Sequence, residues 1–198
     1  MAPVSVSDNN RSGDIIDARP FSPAKLSDGT IVEIVPMGPD DAARLVRFHA
    51  TLSPDTTHDR FFAFHPELSE HELTRFTHVD HRDREAILAV HDGEIIGVAR
   101  FDRTSPCGDE AEPAFVVRDA WQGRGVGTVL FERLAARAIE LGVRRFVPDT
   151  LGSNYRMLAL FHHRALPITE HFDHGVVRLT IELTGPAATS PLDQRSTP

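Results

Sequence analysis

A strand that passes through a glycine-rich turn directly into a helix leaves few folds open. This chain has such a segment in Val116-Val117-Arg118-Asp119-Ala120-Trp121-Gln122-Gly123-Arg124-Gly125-Val126-Gly127-Thr128. The helix over 125–141 carries Val126, Val129, Leu130, Leu134, Ala138 and Leu141 at helical spacing, and Gly142 stops it. The first amides of a helix have no internal partner, and the helix dipole adds about half a positive charge at that end. Glycines at 123, 125 and 127 clear the approach, and Arg118 and Arg124 add charge. The segment therefore predicts a pyrophosphate cradle. It fails the dinucleotide fingerprint, because the sixth position from Gly123 is Thr128 instead of glycine. P-loop chemistry is excluded as well: the only lysine is Lys25, far from any glycine loop.

Strands are expected over 30–35, 85–91, 94–101, 110–117, 168–172 and 176–183, with a short one starting at 145. Asp92-Gly93 is a hairpin signal between the second and third of these. Helical patterns cover 39–52, 53–62, 69–76 and 154–164, and Ser69-Glu70-His71-Glu72 has the form of a capping box. Strands and helices do not alternate strictly, so the pattern predicts an α+β mixed sheet and not a doubly wound fold. Residues 1–24 and 185–198 are polar and aperiodic and read as mobile tails around one folded domain over 25–184.

Of the 198 residues 40% are hydrophobic, enough for one core. One cysteine, Cys107, allows no internal disulfide and no multi-cysteine zinc site. There is no run of apolar residues long enough to span a membrane and no secretory leader, so a cytoplasmic location is expected. The net charge of −8 argues against nucleic acid or an anionic membrane as partner. Residues 118–145 nevertheless carry six arginines against three acids. That basic island fits either a small anionic ligand or a solvated helix face laced with ion pairs.

Gln122-Gly123-Arg124-Gly125-Val126-Gly127 fits the Q/R-x-x-G-x-G/A signature of the GNAT superfamily of acyl-CoA-dependent N-acyltransferases, and the chain resembles that family over about residues 28–183. Within it, the chain is most similar to the catalytic domain of bacterial protein lysine acetyltransferases. The residues carrying that likeness are Leu52-Ser53-Pro54, Arg60-Phe61-Phe62, Leu68-Ser69, Phe76-Thr77-His78-Val79-Asp80-His81, Ile96-Gly97-Val98-Ala99-Arg100, Ala111-Glu112 and Ala114-Phe115-Val116-Val117. The resemblance implies the GNAT fold, a central sheet of about six to seven strands flanked by helices and splayed at the acetyl-CoA site. It implies acetyl-CoA as co-substrate and no metal. The amides of Gln122, Gly123, Arg124, Gly125, Val126, Gly127 and Thr128 would hold the pyrophosphate. Ala114, Phe115, Val116 and Val117 would pair with the pantetheine, and Asn154 would reach it. Glu112 would be the general base, and an amide near Phe115 or Val116 would hold the oxyanion. Pro113 fits a bulge or an unpaired position in that strand. The family's fused cyclic-nucleotide or synthetase-like modules do not fit in this length.

The acceptor implied is a protein lysine, for example on an acyl-CoA synthetase, with a small-molecule amine as the alternative. A non-catalytic coenzyme A-binding regulator is the reading from another class. The chain departs from the family in two places. Phe161, a residue the resemblance places at the cofactor, stands where many relatives have a tyrosine that protonates the leaving thiolate, and Ala165 replaces the usual glycine. Eleven histidines invite a metal, but His78-Val79-Asp80-His81 and His162-His163 show no third and fourth ligand at a recognisable spacing. His78, Asp80 and His81 read instead as positioning the loop before Glu85. Phe61, Phe62 and Phe64 read as core ahead of an acceptor groove. A monomer and a homodimer are both left open.

Overall fold

The computed structural model describes residues 21–63, 65–163 and 166–183. The expected tails lie almost wholly outside these residues, as do Phe64 and Ala165. The chain runs β1 (Ala24–Lys25), β2 (Ile31–Pro36), a single helical turn at Pro39–Asp41, α1 (Ala42–His49), α2 (Pro54–Phe61), α3 (Glu70–Thr77), β3 (Arg84–His91), β4 (Glu94–Arg103) and β5 (Glu110–Val117). It continues through α4 (Val126–Glu140), β6 (Arg145–Phe146), β7 (Asp149–Leu151), α5 (Tyr155–His162), β8 (Ile168–Asp173) and β9 (Val176–Glu182).

One sheet takes all nine strands of the described residues in the order β1-β2-β3-β4-β5-β6-β9-β7, with β8 also on β9. The expected count was six to seven. The difference comes from β1, a two-residue strand with no periodicity to reveal it, and from Pro148, which splits the late strand into β6 and β7. The fold is α+β, as the element order required. β5 and β6 run parallel for only two residues, whereas β3, β4 and β5 form long antiparallel ladders.

Strand alternation sends side chains to two cores. On one face Phe101, Phe115, Phe131, Leu134, Phe146 and Phe161 pack between the sheet and α4 and α5. On the other, Met37, Leu45, Phe48, Leu88, Ile95 and Val98 pack beneath α1 and α3. The capping box at Ser69 forms as expected: Glu72 N donates to Ser69 Oγ and Ser69 N to Glu72. The His78–Asp80–His81 segment also does what was expected of it. Asp80 Oδ1 accepts from the amides of Arg82, Asp83 and Arg84, all at 2.9 Å. His81 Nδ1 lies 2.6 Å from the buried Glu85 carboxylate, which also takes Arg137 Nε at 2.9 Å. Among the described residues no group of three or more His, Cys, Asp or Glu is placed to hold a metal, and no helix is long and apolar enough to cross a membrane.

Candidate active site

The phase of the β4–β5 ladder decides what β5 offers. Thr104 N donates to Glu110 O and Arg118 N to Ile96 O, and the register between these points is regular. Residues 112, 114 and 116 therefore turn their peptide groups toward β4, and residues 111, 113, 115 and 117 turn theirs away. On the outer side β6 pairs only as far as Ala111. Beyond it the Phe115 N–H and C=O and the Val117 N–H face no strand.

This phase explains Pro113, which takes the unpaired position and not the bulge. β5 has no bulge; the register shift in these ladders falls between Ala89 and Val90 of β3. Pro113 sits opposite Phe101 with its nitrogen turned outward, past the end of β6, where no ladder bond is lost. The oxyanion donor is narrowed in the same way. The Val116 amide is committed to β4, and the Phe115 amide is open.

The open edge leads into the glycine turn. Gly125, the residue before α4, has φ +94°, a left-handed conformation that suits glycine. Val129 N donates to Gly125 O, so the amides of Val126, Gly127 and Thr128 are the unpaired ones at the helix N-terminus. Three side chains fix the turn. Gln122 Nε2 donates to Val117 O (3.0 Å) and Thr56 Oγ1 (3.1 Å), and Gln122 Oε1 accepts from Arg156 (2.6 Å). Asp119 accepts from Ser53 N, Ser53 Oγ and Thr56 Oγ1 at 2.7–2.9 Å, tying α2 to the turn. Arg124 turns away to Asp28 (Nε–Oδ2 2.7 Å) and stacks over Trp121 at 4.1 Å.

A cleft of about 540 Å³ runs along this edge, a size usual for small-molecule sites. Phe115, Val116, Val117, Gln122, Gly123, Gly125, Gly127, Thr128 and Asn154 line it, so the fold brings most of the expected residues together. Asn154 caps α5 by accepting from Met157 N at 3.0 Å. Other expected residues stand elsewhere. The Val126 side chain and Phe161 are 1% exposed in the core beneath α4, where Phe161 packs on Phe115 and Phe131, while the Val126 amide stays at the helix N-terminus. Ala114 lines a smaller cavity on the opposite face of the sheet. Glu112 is exposed on that same face, opposite Asp102, and does not line the cleft. Tyr155 is exposed on the outside of α5, and Phe61 stacks on His65.

The basic island does not line the cleft. Arg137 pairs with Glu85 and Glu140, Arg145 with Asp109 and Glu110, and Arg124 with Asp28. The ion-paired reading of that charge run therefore holds. Among the described residues the arginines lining the cleft are Arg60 of α2 and Arg156 of α5, neither of which was expected there as a ligand residue. Thr56, Asp59, Met157, Leu160 and His163 also line it unexpectedly. Their positions depend on how α2 and α5 dock, and no local pattern encodes that.

The model of the acetyltransferase (GNAT) family matches residues 46–165. The chain is 33% identical to Acetyltransferase PA5475 of Pseudomonas aeruginosa over 138 residues, 67% of this chain and 73% of that one. It is 28% identical to Acetyltransferase Pat of Mycolicibacterium smegmatis over 173 residues, 86% of this chain but only 51% of that one, so it spans about half of that relative. Its structure superposes on the GNAT domain of S. lividans PAT with a TM-score of 0.78 and 40% identity, covering 82% of this chain and 97% of the other. The splayed β5 edge, the glycine turn at a helix N-terminus and these likenesses converge: the chain belongs to the GNAT acetyltransferase family and is an acyl-CoA-dependent N-acetyltransferase.

Proposed function

We propose that this protein transfers the acetyl group of acetyl-CoA to a protein lysine side chain, with Glu112 as general base. The observation that carries the coenzyme's placement is the unpaired outer edge of β5 leading into the amides of the glycine turn. In this reading the pantetheine pairs with Phe115 and Val117. The pyrophosphate meets the amides of Gly125, Val126, Gly127 and Thr128, whose dipole and open donors suit an anion. Gln122 holds the turn in shape and Asn154 meets the arm from α5.

A lysine amine with a pKa of about 10.4 is neutral in only about one molecule in a few thousand at pH 7. Glu112 takes the amine proton, directly or through one water. The neutral nitrogen attacks the thioester carbonyl, the C–N bond forms, and the C–S bond breaks with the electron pair leaving on sulfur. The Phe115 amide is the free strand donor for the developing oxyanion. Phe161 has no proton to give, so the thiolate leaves unassisted from that position. Exposure of Glu112 supports a large acceptor, because a side chain on another protein reaches an open carboxylate more readily than a closed pocket.

Thiol release from acetyl-CoA, with an acyl-CoA synthetase as acceptor, tests the reading. Acceptor-dependent release that falls about 10²-fold or more in Glu112→Gln supports it. Release that ignores the acceptor, or survives in the variant, refutes it.

A further inference from the structure

The smaller cavity, about 40 Å³, lies between the sheet and the layer of α1, α2 and α3. Met37, Leu45, Phe48, Phe76 and Val98 make most of its wall apolar. Arg60 and Val116 line both it and the coenzyme cleft, so the two spaces adjoin.

Two polar groups in this wall lack partners. His49 is 6% exposed, and its Nε2 has no hydrogen bond. Burial first, and then the neighbouring His65, hold its imidazole below the usual range. Arg60 forms no ion pair within 4.0 Å among the described residues; its guanidinium lies 5.0 Å from the Phe61 ring. Burial, reinforced by Arg100, pushes that guanidinium down to about 10. The surroundings do not neutralise it. Arg75, Arg84 and Arg100 all converge on one carboxylate, Asp102, at 3.0–3.3 Å. Glu112 and Asp102 act on Arg60 only from beyond ion-pair distance. Three guanidiniums thus share Asp102, and Arg60, at the junction of the two spaces, pairs directly with no carboxylate among the described residues. A half-buried guanidinium whose nearest carboxylates lie beyond ion-pair distance is left under-neutralised, and a bound anion relieves that imbalance.

We infer that this cavity receives a carboxylate carried by a substrate, held by Arg60 with His49 beside it, an inference that rests on the coenzyme reading of the larger cleft. Guanidinium and carboxylate match in charge and in planar geometry. The volume admits a group of a few heavy atoms. The carboxylate has two possible bearers: the distal end of a dicarboxylic acyl thioester, or an acceptor amine with a carboxylate of its own.

Calorimetric titration separates them without turnover. In the first arm, succinyl-CoA and butyryl-CoA, matched in chain length, are titrated into the wild-type protein. In the second, lysine and cadaverine, which differ by the carboxylate, are titrated into the protein saturated with coenzyme A. The expected result is a preference of at least about tenfold for the carboxylate-bearing ligand in one arm, which identifies the bearer. That preference should shrink to near unity in both Arg60→Met and Arg60→Gln. A margin below tenfold in both arms of the wild type overturns the inference, as does a margin that survives both substitutions. Failure of the wild type to bind acetyl-CoA at all would overturn the coenzyme reading instead, and this inference with it.

Discussion

Gly97 lies in β4 opposite Val117, directly beneath the first turns of α4. A methyl group placed there would stand 2.8 Å from Leu130 Cδ1, 3.1 Å from Val126 Cγ1 and 3.4 Å from Val116 O. Leu130 is fully buried and Val126 is 1% exposed, so neither has room to retreat. Overpacking by one methyl in such a setting costs about 1–3 kcal/mol. At roughly 2–4 °C per kcal/mol for a chain of this size, Gly97→Ala should melt about 2–12 °C lower. The functional effect follows from the same contact. Val126 opens α4, and its amide belongs to the proposed anion cradle, so pushing it away should weaken acetyl-CoA binding by about 3- to 30-fold, a partial loss of charge-assisted hydrogen bonding. Gly38→Ala is the control, because a Cβ there meets nothing within 4 Å. Scanning calorimetry and titration with acetyl-CoA read both quantities. If Gly97→Ala melts and binds like Gly38→Ala, the close packing of α4 on β4 does not set the cradle.

Three other outcomes follow from the geometry. Glu85 is fully buried between His81 and Arg137, and Arg137 keeps Glu140 and some solvent, so Glu85→Ala should cost about 3 kcal/mol and lower the melting temperature by about 6–12 °C. Pro113→Ala should move stability by under about 1 kcal/mol, since no ladder bond is regained, whereas Ala114→Pro should cost about 3 kcal/mol or more by removing one to β4; urea midpoints check both. Despite desolvation, the donors of Ser53 and Thr56 hold the Asp119 carboxyl below its usual range, and Thr30 and then Arg124 bring that of Asp28 to about 2. The unfolded chain then binds more protons than the folded one in acid, so urea midpoints should begin to decline below about pH 6.5, where the fold keeps His49 uncharged, and fall further as pH drops from about 4 toward 2, with a shallower acid fall in Asp119→Asn.

Local chemistry accounts for how much of this was legible in advance. The seven strands and five helical segments with clear periodicity all formed, because Asp92-Gly93, Ser69-x-x-Glu72 and Gly142 are short-range signals that need no tertiary help. The glycine turn was readable for the same reason. Arg60 and Arg156 were not, because their place in the cleft is set by the docking of α2 and α5, through contacts such as Asp119 with Ser53 and Gln122 with Arg156. Arg124 misled for a related reason. Its sequence neighbours suggest an anion, but the β1–β2 turn brings Asp28 to it from nearly a hundred residues away. The proline in β5 became intelligible only with the ladder phase, which residue types alone do not give.

The central claim is that acetyl-CoA lies along the outer edge of β5 and ends on the first turn of α4. Amide hydrogen exchange, resolved residue by residue with and without acetyl-CoA, addresses it most directly. The account predicts new protection at Phe115 and Val117 and at Val126, Gly127 and Thr128, with Ala114 and Val116 unchanged because β4 already holds them. Protection at Ala114 and Val116 with none at Phe115 and Val117, or none at the α4 N-terminus, would contradict it.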